Sequence, residues 1–401
     1  MATLVVAALS ARLMAEAAVR DGHTVIALDL YGDADTRAAC QQWQPLGEPD
    51  SLRIEADRLL PALDAAAAAG AAGDVLGWIP GTGFEGQPEL LEQGAQRLPL
   101  IGNDADTVRR TRDPRRFFGL LEEHGIPHPA WQIDPPAADG TFGWLRKDAR
   151  TAGGQHTRHG GCVLDDRARQ QALADPQGSQ VYFQREMPGT PLSATYIANG
   201  RSACVLGINA LLTQPWGEQP HVYRGVIGPV PVPAWVTTQI THALEALVPA
   251  LGLRGLGSLD VLWDDERVWV LEINPRPPAS MALYLTQRFQ ADTDGAPHGL
   301  LEAHLRACRG QLPVPVERPA ATSDGAVRGT EILYARQPLQ LTEAQVASLA
   351  RRPDAHDVPA QATWLRPGDP LCSVSAAGAS AHEVRLRLHS TCAALLHTLG
   401  L

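Results

Sequence analysis

Apolar residues run unbroken from Leu4 to Leu9, recur at helical spacing through residues 12 to 21, and run again from Val25 to Leu28, with Gly22 as a stop between helix and second run. A strand, an amphipathic helix and a second strand ending at Asp29 predict a β-α-β unit. The alternation continues through an alanine-rich, helix-prone segment, Leu59 to Ala69, and buried strands at Val75 to Ile79 and Leu98 to Ile101. The first part of the chain therefore predicts an α/β layer arrangement. Its first turn reads A-L-S-A-R (8 to 12), without the glycines that let a pyrophosphate approach the backbone. A dinucleotide site with Asp29 on the ribose is not expected.

A well-marked helix follows. Asp113 suits the N-cap, Pro114 the first helical position, Gly125 the residue past its end and Pro127 the exit, with Phe117, Phe118, Leu120 and Leu121 as the apolar face. The period then changes. Short strands are predicted at Gly143 to Lys147, Gly160 to Leu164, Val181 to Phe183, Ser193 to Ala198 and Ser202 to Ile208, the last two joined by an Asn199-Gly200 turn. Together they suggest a small antiparallel insertion. A helix from Trp235 to Leu251, stopped by Gly252, leads to strands at Ser258 to Trp263 and Arg267 to Ile273. Beyond about residue 310 the chain is rich in Pro, Ala and Arg, with short strand candidates and a final helix from His382 to Leu399.

A chain of 401 residues is long enough for roughly two to four domains. A formal charge of −10 without a basic run argues against nucleic acid and for small-molecule partners. No apolar run approaches a membrane span, and the N-terminus lacks a basic signal-type region. Cys40, Cys162, Cys204, Cys308, Cys372 and Cys392 are widely spaced with no C-x-x-C, as expected of reduced thiols in a cytoplasmic protein.

Of 34 basic residues, 33 are arginine and Lys147 is the single lysine. A compact, strongly hydrated ammonium retained at the end of a strand, ahead of Gly153-Gly154 and Gly160-Gly161, suits phosphate oxygens that glycine N–H groups can approach closely. Taken alone, a Gly-Gly hairpin is more often an ordinary turn, and no G-x-x-x-x-G-K-[ST] loop occurs. The sharper cluster is Asp260 on one strand with Glu272, Asn274 and Arg276 at the end of the next. Asp264 to Glu266 read as a three-residue hairpin loop that pairs Trp263 with Arg267 and puts even-numbered residues on one face. Asp260, Glu272 and Asn274 then present hard oxygen ligands suited to magnesium, and Arg276 can lean over a phosphoryl group or oxyanion. Between the halves, V-Y-F-Q-R-E-M-P-G (181 to 189) could offer backbone groups and Met187 to an adenine ring, or be a buried strand with a satisfied polar end.

A lysine strand with a glycine loop, a hinge, an aspartate and then E-I-N-P-R (272 to 276), in that order, resembles the ATP-grasp superfamily of ligases and carboxylases. The G-I-P after the helix (125 to 127) and R-P-G-D-P-L-C-S-V (366 to 374) extend the likeness. S-A-R (10 to 12), L-D-L-Y-G-D-A-D-T-R (28 to 37) and G-T-G-F-E (81 to 85) are similar to the ATP-dependent carboligase branch that includes tyramine–glutamate ligase and ATP-grasp proteins of one-carbon cofactor pathways, of methanofuran and tetrahydromethanopterin type. The resemblance implies an α/β (α+β) ATP-grasp fold. It would have a Rossmann-like pre-ATP-grasp domain at 1–103, an ATP-grasp domain at 104–310 with its small lobe at about 130–187, and a small β-rich C-terminal domain at 311–401. It implies a carboxylate–amine ligase using ATP and Mg2+, with Mn2+ as a substitute, and acting on small-molecule carboxylate and amine substrates through an acyl phosphate; a homodimer is allowed.

By position, the resemblance gives Lys147, Gly153 and Gly154 to the phosphates, Gln184, Arg185, Glu186 and Met187 to adenine, Asp260, Glu272 and Asn274 to magnesium, and Arg276 to the reacting group. Two departures stand out. A second ATP lysine has only Arg112 or Arg115 to replace it, and Arg185 stands where an acid often reads the adenine amino group. Carboxylation through carboxyphosphate is the rival within the fold, and a non-catalytic nucleotide-binding scaffold a further one. P-P-A-S (277 to 280) replaces the Q-V-E-H that follows N-P-R in biotin carboxylase, and no lysine remains to carry biotin. Ser10, Arg12, Glu85, Ser193 and Arg224 are polar residues that could line an acceptor pocket, Arg224 best suited to a substrate carboxylate.

Overall fold

In the computed structural model the described residues are 2–69, 75–136, 143–151, 153–154, 157–159, 181–291, 296–316 and 327–400. The strand expected at Gly160 to Leu164, the Gly160-Gly161 pair and Cys162 lie outside them.

The opening β-α-β unit forms as its pattern predicts. β1 (Thr3–Ala7) pairs in parallel with β2 (Thr24–Asp29), and α1 (Arg12–Arg20) crosses between them. Gly22 follows α1 with φ +83°, a left-handed conformation that costs other residues about 1 kcal/mol or more. α2 (Ala34–Ala38) and β3 (Gln42–Pro45), too short and polar to show a period, complete this side. After α3 (Ala56–Ala69), β4 (Val75–Pro80) joins the other edge, giving the parallel order β3-β2-β1-β4. Leu98 to Ile101 contributes one bridge, Leu100 to Trp78, rather than a full strand. The Asp29 carboxylate accepts bonds from Ala11 N, Gly32 N and the Trp43 indole; it ties the turn together and is not open to a ribose.

After α4 (Pro88–Ala95) and α5 (Ala105–Arg112), α6 (Pro114–Glu123) starts on an Asp113 side chain that accepts from Arg115 N and Arg116 N. Phe117, Phe118 and Leu121 on its buried face meet Tyr182, and Phe118 stacks on Trp131 at 5.0 Å.

The expected antiparallel insertion divides between two sheets. β5 (Trp131–Gln132), β6 (Trp144–Asp148), β7 (Arg158–His159) and β8 (Val181–Arg185) form a small sheet in the order β5-β8-β6-β7. Pro188-Gly189 then breaks the chain, with Gly189 at φ +150° against the Trp263 carbonyl. The next strands, β9 (Thr190–Asn199), β10 (Ala203–Trp216) and β11 (Gln219–Gly228), belong to a larger sheet with β12 (Arg254–Trp263) and β13 (Val268–Asn274). The helix Ala234–Leu251 lays Val236, Ile240, Ala243, Leu244, Leu247, Val248 and Leu251 on that sheet at helical spacing and ends at left-handed Gly252. Each large side chain among these contributes roughly 1.5–3 kcal/mol by burial.

The β12–β13 turn differs from the expected one. Trp263 pairs with Val268, not Arg267, because Asp264 Oδ1 accepts from Glu266 N and Arg267 N and closes a longer turn. A bulge then inserts Leu271, after which Asp260 pairs with Glu272 and Ser258 with Asn274. The extra turn residue and the bulge cancel in parity, so Asp260, Glu272 and Asn274 still share a face.

The large sheet runs on without a break into β14 (Val327–Tyr334), β18 (Pro370–Gly378) and β16 (Ala355–His356), in the order β13-β12-β9-β10-β11-β14-β18-β16. β15 (Leu339–Leu341) pairs with β17 (Thr363–Leu365) alongside. The helix Ala381–Thr398 covers β14 and β18 with Val384, Leu388, Cys392 and Leu395. Among the described residues no helix is long and apolar enough to cross a membrane, and Cys40, Cys204, Cys308, Cys372 and Cys392 are free thiols.

Candidate functional site

One cavity of about 1620 Å³ runs between the N-terminal sheet, the small sheet and the large sheet. Of the residues expected at a site, Lys147, Gly153, Gly154, Gln184 to Met187, Asp260, Glu272, Asn274, Arg276, Arg112, Ser10, Arg12, Glu85 and Ser193 all line it. Arg115 lies exposed on the far side of α6, and Arg224 lines no part of the cavity.

β6 and β8 set the Lys147 ammonium beside Gln184, its Nζ donating to Oε1 at 2.7 Å. Burial lowers the lysine's pKa, while Glu272 and Asp260 across the cleft pull it up. Gln184 is 1% exposed, and its Nε2 has no partner among the described residues, a buried donor awaiting an acceptor. Gly153 and Gly154 both have left-handed backbones, φ +73° and +72°. Gly153 O accepts from Tyr223 N, and a Cβ on Gly154 would collide with the His221 carbonyl. The glycines are thus demanded by the approach of the loop to β11. Arg185 is exposed, and Glu186 is held by His221 at 3.1 Å and His159 at 3.6 Å.

Opposite, Asp260 accepts from Ser193 Oγ at 2.6 Å and from Asn274 Nδ2 at 3.0 Å. Burial, and then the Glu272 charge on the neighbouring strand, push its carboxyl up to about 6. Arg112, 4% exposed, donates to Glu272 Oε2 at 3.2 Å and to Asn274 Oδ1 at 2.7 Å. Two carboxylates and an amide oxygen, short of positive charge at Asp260 and bridged by a guanidinium at the other end, fit a divalent cation of the magnesium type. Lys147, with the Gln184 Nε2 and Arg112 Nε donors that lack partners among the described residues, fits an anionic, acceptor-rich ligand such as a nucleotide.

Glu85, expected among acceptor-pocket residues, has another task. Its carboxylate takes Arg276 Nε at 3.0 Å, lies 4.0 Å from Arg112 and accepts Gly83 N at 2.7 Å. Burial opposes its ionisation, yet Arg276 and Arg112 hold it below the usual carboxylate range. Arg12 is likewise committed, to Asp357 and Glu16. Arg224 sits at a bulge in β11 and pairs with Glu331 on the face covered by the C-terminal helix. It is therefore not available to a substrate in the cavity. The Glu85 bridge and the His159–Glu186–His221 clasp were not anticipated, since their members are far apart in sequence and meet only in the fold.

A family profile described as ATP-grasp domain matches residues 112–280. The chain is similar to the carbamoyl phosphate synthase large chain of Thermomicrobium roseum, 26% identical over 287 residues, which are 67% of this chain and 24% of that protein. It thus spans about a quarter of the length of that curated relative. In fold it is similar to biotin carboxylase from Campylobacter jejuni (TM-score 0.66, 14% identity, covering 96% of this chain and 89% of that one). It is also similar to L-amino acid ligase from Bacillus licheniformis (TM-score 0.63, 15% identity, covering 97% and 96%). The matched segment encloses the lysine strand, the hinge and the carboxylate strands, so residues 112–280 are an ATP-grasp domain.

Proposed function

We propose that this protein is an ATP- and magnesium-dependent carboxylate–amine ligase. A substrate carboxylate takes the γ-phosphoryl group, an amine displaces phosphate from the resulting acyl phosphate, and ADP and phosphate leave. The observation that carries the reading is the convergence of Lys147, Arg112 and Arg276 with Asp260 and Glu272 in one cavity. Cations and metal-binding oxygens face each other there, as phosphoryl transfer requires. When bound, magnesium would lie among Asp260, Glu272 and Asn274 and offset phosphate charge. Lys147 and Gln184 would hold the nucleotide, and Arg276, steadied by Glu85, would face the developing negative charge. The narrower reading, a glutamate-type ligase of one-carbon cofactor biosynthesis, rests on the S-A-R, L-D-L-Y-G-D-A-D-T-R and G-T-G-F-E segments.

A carboxyphosphate route is the second reading, favoured by the likeness to carbamoyl phosphate synthase and biotin carboxylase. Against it, Pro277-Pro278 lead into a short helical turn, Ala279–Tyr284, that carries no carboxylate to act as a base. ADP release measured with bicarbonate, with glutamate and with candidate amines separates the two. Amide product with amine-dependent turnover is expected, and bicarbonate-dependent phosphate release without amide would reverse the preference. Glu272→Gln should lower turnover by about 10²-fold or more while ATP still binds, since metal-held charge counts most in the transition state. Unchanged turnover would reject the metal role.

A further inference from the structure

The cavity extends well past the metal-type carboxylates, into a cleft between the N-terminal sheet and the segment after β14, where Asp33, Asp357, Glu48, Asp50 and Asp369 gather. Most of these acids are already answered. Asp357 takes a two-pronged contact from Arg12 at 2.7 and 3.1 Å. Asp50 pairs with Arg366 at 2.7 Å, Glu48 pairs with Arg58 at 2.6 Å, and Asp369 accepts Arg366 N at 2.6 Å. The nearby trio Glu16, Asp35 and His356 is spanned by the same Arg12, through Glu16 at 3.2 Å and Asp35 at 3.4 Å.

Asp33 is the exception. It is 6% exposed and lines the cavity, yet among the described residues no donor or cation bonds its carboxylate. It occupies the N-cap of α2, where an aspartate ordinarily turns its side chain onto the first turn's N–H groups. Here it does not: Arg37 N is taken by the Asp33 main-chain oxygen, and Ala34 N by Val358 O. Arg37, on the same short helix and also lining the cavity, is occupied elsewhere: it donates to Gly32 O at 2.7 Å and lies 4.0 Å over the Trp43 ring.

We propose that Asp33 is the anchor of a second subsite in this cavity, which recognises a positively charged nitrogen, an ammonium or guanidinium, on the amine-side substrate. Burial, with Asp357, Asp29 and Asp35 close by, holds the Asp33 carboxyl well above its usual range and outweighs Arg12. An unpaired buried acid of this kind destabilises the protein alone and is relieved by a cation from outside. The subsite rests on the ligase reading only for its description as the amine side; its preference for positive charge follows from Asp33 itself.

The test is a calorimetric titration of the full-length protein with three four-carbon probes: putrescine, uncharged butanediol and succinate. Each is run with and without Mg2+ and ADP, so that the carboxylates at Asp260 and Glu272 are engaged in one arm. Putrescine should bind saturably in both arms and the other two should not. Asp33→Asn should weaken putrescine by about tenfold or more, the loss of one charge-assisted hydrogen bond. The same variant, and Asp33→Ser beside it, should melt at a higher temperature than the native protein, because each removes a buried, uncompensated charge. A purely structural Asp33 would give lower melting temperatures. Unchanged putrescine affinity in both variants, or tighter binding of succinate than of putrescine, overturns the proposal. Failure of MgADP to bind would count against the ligase reading and leave the amine titration to be judged by itself.

Discussion

Lys147 brings its ammonium within 2.7 Å of Gln184 Oε1, in a setting where burial already disfavours the charge and only Glu272 and Asp260 sustain it. A guanidinium is larger, planar and fixed in its fork, so it cannot reproduce a point charge at this spot. Lys147→Arg should therefore lower kcat/KM for ATP-dependent turnover by on the order of 10²-fold, measured by ADP release; full activity would return the lone lysine to an accident of composition. The lysine was conspicuous in the sequence, whereas Gln184 as its partner was not, because the bond spans 37 positions. Glu85 makes the same point more sharply. Read from sequence as an acceptor-pocket residue, it is 5% exposed and set against Arg276 and Arg112. Glu85→Gln leaves the buried Arg112 and the partly buried Arg276 guanidinium groups short of an anion, a change that costs about 3 kcal/mol. Urea denaturation should show that loss together with a fall in kcat. A variant as stable and as active as the native protein would remove Glu85 from its place as the support of Arg276.

The β12–β13 hairpin shows how far a pattern of alternation can be trusted. Parity put Asp260, Glu272 and Asn274 on one face, and they are there, but the turn is longer than the sequence suggested and a bulge at Leu271 restores the count. Asp264 accepting from two backbone N–H groups and from the Trp269 indole explains the longer turn. The strands were legible because alternating apolar residues must be buried; the bulge was not, because one added residue leaves composition unchanged. The same limit put Arg224 in the pocket on paper, when its bulge in β11 turns it to Glu331. Helix Leu300–Cys308 carries a different consequence. His304, 1% exposed, accepts Leu256 N at 2.9 Å and faces Ile101 O with its other nitrogen, locking helix to β12 as a neutral imidazole. Burial lowers its pKa to about 4, below the 6.5 or so of an unfolded histidine. The unfolded state therefore binds the extra proton first as pH falls. Stability from this site is full above about pH 6.5 and is lost on descent toward about pH 4, by about 3 kcal/mol in all. His304→Gln should flatten that part of the stability profile in chemical denaturation, and an unaltered slope between those pH values would show that other groups control it.

At the scale of the molecule, the unbroken large sheet binds the C-terminal segment to the site. β14 pairs with β11 from Gly225 to Gly228, Tyr334 Oη donates to Tyr223 O at 2.8 Å, and Glu331 holds Arg224. On the cavity side, Asp357 holds Arg12 of the N-terminal unit, and residues 357 to 373 supply one wall of the cleft around Asp33. The sequence showed short strands in this region but not that they continue a sheet begun some hundred residues earlier, since strand pairing across such a separation leaves no local trace. Removal of everything after residue 316 would uncover the backbone edge of β11, strip the apolar cover from Ile227 and leave Arg12 without its main partner. An open, apolar strand edge pairs with other copies. The shortened protein should therefore elute as large, heterogeneous species in size-exclusion chromatography with light scattering, and should release no ADP. A monodisperse fragment that still turns over ATP would mean that the site closes without its C-terminal wall, and that the sheet's continuity is a matter of packing rather than of function.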